Sequence, residues 1–90
     1  MENKVVYIVT TPKCSVCKLM EYILKDIQKE NNTFTIEICE YQDTPLFIKD
    51  VVTFTDFPTI IFTKNKNLEY WFTGSLPKRL VKNIIQDINY

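Results

Sequence analysis

The sequence contains no histidine, a single glycine and no excess of charge of either sign. Its 11 basic and 11 acidic side chains cancel, which argues against nucleic acid or an anionic membrane surface as a partner. No apolar stretch approaches the roughly 18–20 residues that span a bilayer. The N-terminal residues lack the long apolar segment and small-residue cleavage site of a secretory signal. We therefore expect a mature chain that starts at Met1 and resides in a reducing cytoplasm.

The length and the cysteine count set further limits. Ninety residues, 46% of them hydrophobic, are enough for one packed core. No internal repeat, low-complexity tract or linker divides the chain, so we predict a single domain over residues 1–90. Three cysteines, an odd number, argue against the disulfide scaffold of a small secreted protein.

The most informative motif is Cys14-Ser15-Val16-Cys17, in which two thiols are separated by two residues. Upstream, the β-branched run Val5–Val9 predicts a buried strand. Downstream, a helix is predicted from about Ser15 to Glu30, ending at Asn31-Asn32. Its apolar face is expected to comprise Val16, Leu19, Met20, Ile23, Leu24 and Ile27. A strand, a tight loop with two thiols and a helix form the context in which this motif indicates redox chemistry.

The middle of the chain predicts a second strand and a short helix. Residues 33–38 alternate with period two, which places Phe34, Ile36 and Ile38 on one face of a strand. This strand is expected to run parallel to the first after a right-handed crossover. Asp43-Thr44-Pro45 then predicts a helix start with a capping side chain, and the helix would run from Leu46 to Val51 or Val52.

The last part of the chain predicts a hairpin and a final helix. Thr59–Thr63 and Leu68–Phe72 are expected to pair as antiparallel strands across the polar connector 64–67. Ser75 is expected to cap a helix from Leu76 to Ile88. The predicted apolar face of that helix consists of Leu80, Val81, Ile84, Ile85 and Ile88. The element order predicts an α/β domain in which a four-stranded mixed sheet carries helices on both faces.

Three segments together give the chain a family resemblance. Thr11–Lys18 resembles the active-site loop of the thioredoxin/glutaredoxin class, with a proline two residues before the first cysteine. Phe57-Pro58-Thr59 resembles the cis-proline loop of that class, and Gly74 resembles the glycine after its last strand. The resemblance covers nearly the whole chain. It implies a thioredoxin-like fold of glutaredoxin size, with the order β-α-β-α-β-β-α.

Placement at a helix start suggests how the two thiols would react. Free N–H groups and the helix dipole favour a thiolate at Cys14, and Lys13 and Lys18 add positive charge. Such thiols fall from a reference pKa of about 8.5 to roughly 3.5–7.5. Cys14 is then expected to attack a substrate disulfide, and Cys17 to resolve the mixed disulfide. The alternatives are a static disulfide and a zinc half-site, but no histidine and only one further cysteine are present to complete a zinc site. We expect neither a metal nor another cofactor.

The resemblance also implies a substrate-binding surface. Pro58 would be cis and face the sulfur of Cys14, and the backbone of Phe57 would pair with an extended substrate. The alternative is a trans proline that simply starts the strand. The substrate-binding residues implied are Lys13, Phe57, Pro58, Thr59 and Gly74. The bulk of Phe57 is expected to influence which substrates fit.

The motifs depart from both subfamilies. Glutaredoxins that use glutathione tend to carry a lysine where this chain has Thr11, Pro-Tyr in place of Ser15-Val16, and Gly-Gly with an acidic residue in place of 73–76. We therefore expect glutathione to be a poor direct partner. Thioredoxins usually have Trp at the position of Lys13, Gly-Pro between the cysteines and an aspartate in the first strand. Without that aspartate, Cys17 lacks a buried proton acceptor.

Two further residues and two functions complete the interpretation. Cys39 is predicted to be a small buried apolar residue, with a regulatory or intermolecular thiol as the alternative. Trp71 is predicted to cover the second sheet face, with an exposed partner contact as the alternative.

The leading function is a dithiol–disulfide oxidoreductase that acts on protein disulfides and takes electrons from a reductase or from glutathione. The alternative is a non-catalytic thioredoxin-fold binding or assembly module with structural or sensory cysteines.

Overall fold

A computed structural model describes residues 2–90, so Met1, where we expect the mature chain to start, lies outside the described residues. Within this range the chain forms strands, α-helices and one short 3-10 helix. They are β1 (Lys4–Thr10), α1 (Ser15–Glu30), β2 (Thr35–Glu40), the 3-10 helix (Tyr41–Asp43), α2 (Leu46–Lys49), β3 (Thr59–Lys64), β4 (Asn67–Thr73) and α3 (Lys78–Asp87). None of these helices is both long and apolar enough to cross a membrane.

The strands form one mixed sheet in the order β2-β1-β3-β4. β1 pairs with β2 in parallel and with β3 antiparallel, and β3 pairs antiparallel with β4. The two central strands are covered on both faces, which explains why their sequences are apolar runs without alternation. The predicted α/β architecture with a four-stranded mixed sheet is confirmed.

Two groups of side chains bury the two faces of the sheet. The first cluster lies between the sheet and helices α1 and α3, and it includes Val6, Ile8, Met20, Leu24, Ile27, Phe34, Ile60, Phe62, Val81, Ile85 and Tyr90. The second cluster lies on the α2 side, and it includes Val9, Ile48, Val52 and Ile61. The predicted placement of helices on both faces is therefore confirmed.

The bounds of α1 agree with the prediction, but its buried face differs from the predicted one. The buried residues are Cys17, Met20, Leu24 and Ile27. Val16 and Leu19, predicted on the buried face, are 39% and 50% exposed. At 3.6 residues per turn the four buried positions form one stripe along the helix, and Val16 and Leu19 lie beside that stripe.

β2 begins at Thr35 and ends at Glu40, later than the predicted 33–38. Its parallel register with β1, from Val5 opposite Thr35 to Thr10 opposite Glu40, determines these ends. The side chain of Gln28 in α1 donates to the Phe34 carbonyl at 2.8 Å, so Phe34 belongs to the crossover rather than to the strand. Ile38, predicted to be on the buried face, is 42% exposed because β2 is an edge strand.

Both shorter helices begin without the predicted caps. The hydroxyl of Thr44 donates to the carbonyl of Glu40 at 3.1 Å, and Pro45 is the N-cap residue of α2, which ends at Lys49. Helix α3 begins at Lys78 after Pro77, and Ser75 does not cap it. Proline disfavours helical backbone at the residue before it, so Pro77 excludes Leu76 from the helix.

The hairpin is tighter than predicted and is irregular. Lys64 pairs with Asn67, so the connector has two residues, Asn65 and Lys66, with φ of 53° and 65°. Positive φ at both positions is typical of the two-residue turns that match strand twist. Further along, Phe62 faces Tyr70 but Thr63 faces Leu68, which leaves Glu69 as an extra residue in a β-bulge.

Helices α1 and α3 are joined at the surface by ion pairs. Lys78 contacts Asp26 at 2.7 Å and also pairs with Glu30, and Lys82 contacts Glu30 at 2.9 Å. The hydrogen bonds from Lys78 and Lys82 lower the pKa of Glu30 to about 2. These pairs lie at the end of α1 remote from Cys14.

Candidate functional site

The two thiols stand at the start of α1, where the sequence predicts them. Cys14 is the N-cap residue of the helix, and its sulfur accepts a hydrogen bond from the Cys17 N–H at 3.1 Å. The two cysteines form a disulfide, with Cα atoms 5.2 Å apart. Cys14 is partly exposed, whereas Cys17 is 3% exposed. Only Cys14 is therefore accessible to a large partner.

The sheet topology brings the proline loop to the same end as the thiols. β1 ends at Thr10, just before the loop that leads to Cys14. β3 runs antiparallel to β1, and Thr59 faces Val9, so Pro58 adjoins the end of β1. The Phe57–Pro58 peptide bond is cis, as the resemblance implied.

The residues around Pro58 differ in their accessibility. Phe57 is partly exposed, whereas Pro58 is buried. Thr59 is fully buried, and its hydroxyl donates to the Asp56 carbonyl at 2.8 Å. The Asp56 carboxylate accepts from the Phe57 N–H at 2.8 Å. The Thr59 side chain therefore holds the loop in shape.

Gly74 is hydrogen-bonded to the proline loop. It follows β4, and its N–H donates to the Pro58 carbonyl at 2.8 Å. Its φ of 82° is a conformation that residues with a Cβ rarely adopt, although a Cβ placed there would have no atom within 4 Å. The backbone angle, and not a lack of space, accounts for the glycine.

Positive charge borders Cys14 on both sides. Lys13 and Lys18 are exposed, and Lys13 has a left-handed φ of 58°. The backbone N–H of Lys18 donates to the Cys14 carbonyl at 3.3 Å, within the first turn of α1. The helix N-terminus and these two side chains favour a negative charge on the Cys14 sulfur.

Comparisons with known proteins bear on the fold. No family model and no curated protein matches the sequence. The structure matches 197 chains of solved structures, among them the oxidized form of mitochondrial thioredoxin 3 from Saccharomyces cerevisiae. That match has a TM-score of 0.73 and 21% identity, and it covers 94% of this chain and 78% of the other.

The chain has the thioredoxin fold. At 21% identity the likeness establishes the fold. Within the thioredoxin fold of this chain, the two thiols, the cis-proline and Gly74 meet at one end of the sheet.

No buried carboxylate is present among residues 2–90 to accept a proton from Cys17. Among residues 2–90, the buried polar side chains are those of Thr44, Thr59 and Thr63. None of these is a carboxylate. Within the same range no group of three or more His, Cys, Asp or Glu side chains is placed to hold a metal ion.

Cys39 and Trp71 both belong to the second sheet face. Each is partly buried and packs against the second cluster. The Cys39 sulfur lies 3.7 Å from the hydroxyl of Thr44, and burial raises the pKa of the Cys39 thiol. Trp71 covers the second sheet face, as predicted. Cys39 packs on the same face, but it is only partly buried and not fully buried as predicted.

Sequence reasoning missed Tyr41 and Phe54 as neighbours of the proline loop. The ring of Phe54 stacks against Phe57 with centroids 6.2 Å apart, and Tyr41 meets Phe54 edge-on at 5.1 Å. Tyr41 precedes α2 and Phe54 follows it, and no sequence spacing predicts a contact between two such residues. The one available signal is that both aromatics stand outside the strand and helix patterns and so are not needed by them.

Proposed function

We propose that this protein is a thiol–disulfide oxidoreductase that reduces or exchanges disulfides of polypeptide substrates. The observation that carries the proposal is the asymmetry of the pair at the start of α1. Cys14 is accessible and its sulfur already accepts a backbone hydrogen bond, whereas Cys17 is buried one helical turn further along. A disulfide that served only for stability would not need one sulfur at the helix N-cap.

The proposed reaction transfers two electrons. The Cys14 thiolate attacks one sulfur of the substrate disulfide, forms a mixed disulfide with it and releases the other sulfur as a thiolate that takes up a proton. Cys17 then loses its proton, attacks the Cys14 sulfur and releases the second substrate thiol. The substrate disulfide is thus reduced to two thiols, and the protein is left with its Cys14–Cys17 disulfide.

The surface around Cys14 supports an extended polypeptide as the substrate. Phe57 and Gly74 border the cis-proline, and the Phe57 backbone precedes the strand β3. In this proposal the substrate is bound by Lys13, Phe57, Pro58, Thr59 and Gly74, with the Thr59 hydroxyl also holding the loop.

The proposal includes the chemical class of the electron donor. A dithiol reductase or glutathione would return the Cys14–Cys17 disulfide to two thiols, which is consistent with a reducing compartment such as the cytoplasm. Thr11 and the single Gly74 replace residues that the glutathione-using pattern supplies, so we propose a reductase as the better donor. Reduction of a glutathione mixed disulfide at rates typical of dithiol glutaredoxins would contradict this choice.

Trapping with Cys17→Ser tests the proposal. This variant can form the mixed disulfide through Cys14 but cannot resolve it, so a polypeptide disulfide should remain covalently attached. Cys14→Ser should form no adduct, and Cys39→Ser should turn over like the unmodified protein. The adduct is mapped by mass spectrometry after acid quenching.

Redox cycling of the unmodified protein distinguishes the oxidoreductase from a non-catalytic binding or assembly module. We expect the Cys14–Cys17 disulfide to be reduced and reformed while the fold is retained, with a midpoint potential within about −120 to −270 mV. A pair that cannot be cycled without unfolding would favour a binding or assembly module with structural cysteines.

A further inference from the structure

A row of three aromatic side chains extends from the proline loop to the residues after β2. We call Tyr41, Phe54 and Phe57 the aromatic row. Phe57 and Phe54 are nearly parallel, at 19°, and Phe54 meets Tyr41 edge-on, at 81°. Phe54 and Phe57 are partly exposed and Tyr41 is 46% exposed. The row therefore offers apolar surface to the solvent.

Both ends of the row lie at the end of the sheet that carries the thiols. Phe57 is joined to Pro58, which adjoins the end of β1. Glu40 faces Thr10 in the register of β1 and β2, so Tyr41 is the first residue beyond that pair. A polypeptide held with its disulfide at Cys14 would therefore lie at the same end of the sheet as the row.

The outer ring of the row already holds a cation. The ammonium of Lys49 lies 4.6 Å from the centroid of the Tyr41 ring and also donates to the Gln42 carbonyl at 3.3 Å. An aromatic face attracts cations through its quadrupole. Lys49 therefore occupies this face of Tyr41, and a substrate cation would have to displace it or bind the opposite face.

The charges that adjoin the row favour a positive ligand. Asp43 follows Tyr41 within the 3-10 helix, and Asp56 lies between Phe54 and Phe57; both are exposed. On the other side of Cys14, Lys13 and Lys18 are exposed. Asp43 and Asp56 outnumber the Lys49 ammonium on Tyr41, so the site is positive beside the thiols and net negative along the row, a polarity that would orient a charged polypeptide.

We propose that the aromatic row is a specificity surface for polypeptide disulfides whose reactive cysteine has lysine or arginine nearby in the sequence. The aliphatic part of the basic side chain would lie on the rings, and its charge would meet Tyr41, Asp43 and Asp56. This inference rests on the proposed function, because the row acts only on a substrate that reacts with Cys14.

Two synthetic peptides with the same disulfide test the proposal; one carries arginines on one side of the disulfide only, and the other carries glutamates at the same positions. The reduced protein is mixed with an excess of each peptide, and the second-order rate constant is measured in a single turnover. Bis(2-hydroxyethyl) disulfide, which has no flanking residues, is the third substrate. We expect the arginine peptide to react faster than the glutamate peptide.

Three variants test which residues determine the ratio of the arginine-peptide rate constant to the glutamate-peptide rate constant. Tyr41→Leu should lower the ratio of the two peptide rates by about two- to fivefold, the range that one exposed cation–aromatic contact gives. Lys49→Met removes the competing internal cation, so it should raise the ratio. Tyr22→Leu, which changes a tyrosine on α1 that is 68% exposed, is the matched control and should leave the ratio unchanged.

The outcomes separate this inference from the proposed function. The rate with bis(2-hydroxyethyl) disulfide should be the same in all variants, which shows that the thiols are intact. Equal rates for both peptides, or a ratio that Tyr41→Leu does not change, would overturn the specificity surface alone. A protein that reduces none of the three substrates would overturn the proposed function and this inference with it.

Discussion

Cys14 and Cys17 carry the same side chain in opposite surroundings. The sulfur of Cys14 is at the helix N-cap with exposed lysines on either side, whereas Cys17 is buried in the stripe of α1 that faces the sheet. The sequence predicts this difference, because Cys14 precedes the helix whereas Cys17 lies one turn further along it. The nature of the burial around Cys17 depends on the sheet and could not be predicted from the motif.

The charge of Lys13 should influence the Cys14 thiolate. In Lys13→Glu we expect the midpoint of Cys14 alkylation against pH to move upward, because an anion replaces a cation beside the sulfur. The disulfide should also become less oxidising, since the reduced form loses stabilisation. The shift should stay below about one pH unit because Lys13 is exposed to water and the helix N-terminus, which also favours the thiolate, remains. Lys29→Glu at the far end of α1 should not change the midpoint.

The second prediction at this scale concerns Cys39. Burial raises its pKa, so the folded protein favours the neutral thiol. Its contribution to stability is complete below the unfolded pKa of about 8.5 and is lost as pH rises through the folded value. With Cys14 and Cys17 held as a disulfide, urea unfolding should give a smaller free energy at pH 9.5 than at pH 8. Cys39→Ala should reduce that difference, and an equal difference in the variant would contradict the prediction.

The helices and strands differ in how well the sequence predicts them. The bounds of α1 follow from its own pattern and from Asn31, which is its C-cap residue. β2 was misplaced because its ends are determined by pairing with β1 and by the Gln28 contact, and neither is local in sequence. The predicted start of α3 at Leu76 is wrong because Pro77 disfavours helical backbone at the residue before it, so the helix begins at Lys78.

The candidate site was predicted unevenly for the same reason. The thiols, the cis-proline and Gly74 are recognisable because each has a local motif. Tyr41 and Phe54 have none, since they meet only after α2 folds back on the sheet. The burial of the Thr59 side chain has no local signal either, because it follows from the place of Thr59 in the β3 ladder.

The connection between β4 and α3 depends on Gly74. Gly74→Ala should lower the free energy of unfolding by about 1–2 kcal/mol, because alanine tolerates left-handed backbone poorly. The loss should come from the backbone angle of 82°, since no atom obstructs a Cβ there. Ser75→Ala, at the exposed neighbour, should change stability little. Urea unfolding of both variants measures the difference, and equal stabilities would show that the loop adapts at no cost.

Across the whole molecule, Tyr90 links the ends of the described chain. Its ring packs against Phe34 and Phe62, its hydroxyl donates to the Thr63 carbonyl at 2.7 Å, and its own carbonyl accepts from Lys4. The first cluster is thus completed by the residue most distant from β1 in sequence. No periodicity predicted this, since Tyr90 lies beyond the end of α3 at Asp87.

Removing the hydroxyl of Tyr90 should affect the stability of the whole fold. Tyr90→Phe should cost about 0.5–1.5 kcal/mol through the lost hydrogen bond. Burial also raises the pKa of Tyr90, so its contribution is present below an ordinary tyrosine pKa of about 10 and is lost as pH rises above it. Thermal unfolding at pH 7 and pH 10.5 should therefore show a smaller difference between the proteins at the higher pH. Tyr22→Phe, at an exposed ring, should match the unmodified protein at both.

The extra residue at Glu69 has a consequence for how the molecules behave at high concentration. β4 is an edge of the sheet, and an edge offers unpaired N–H and C=O groups to which a strand of another molecule can add. The bulge interrupts the even spacing of those groups and increases the local twist. A neighbouring chain then cannot continue the ladder along the full length of β4. One charged residue out of register thereby protects the protein from growing into aggregates along this side.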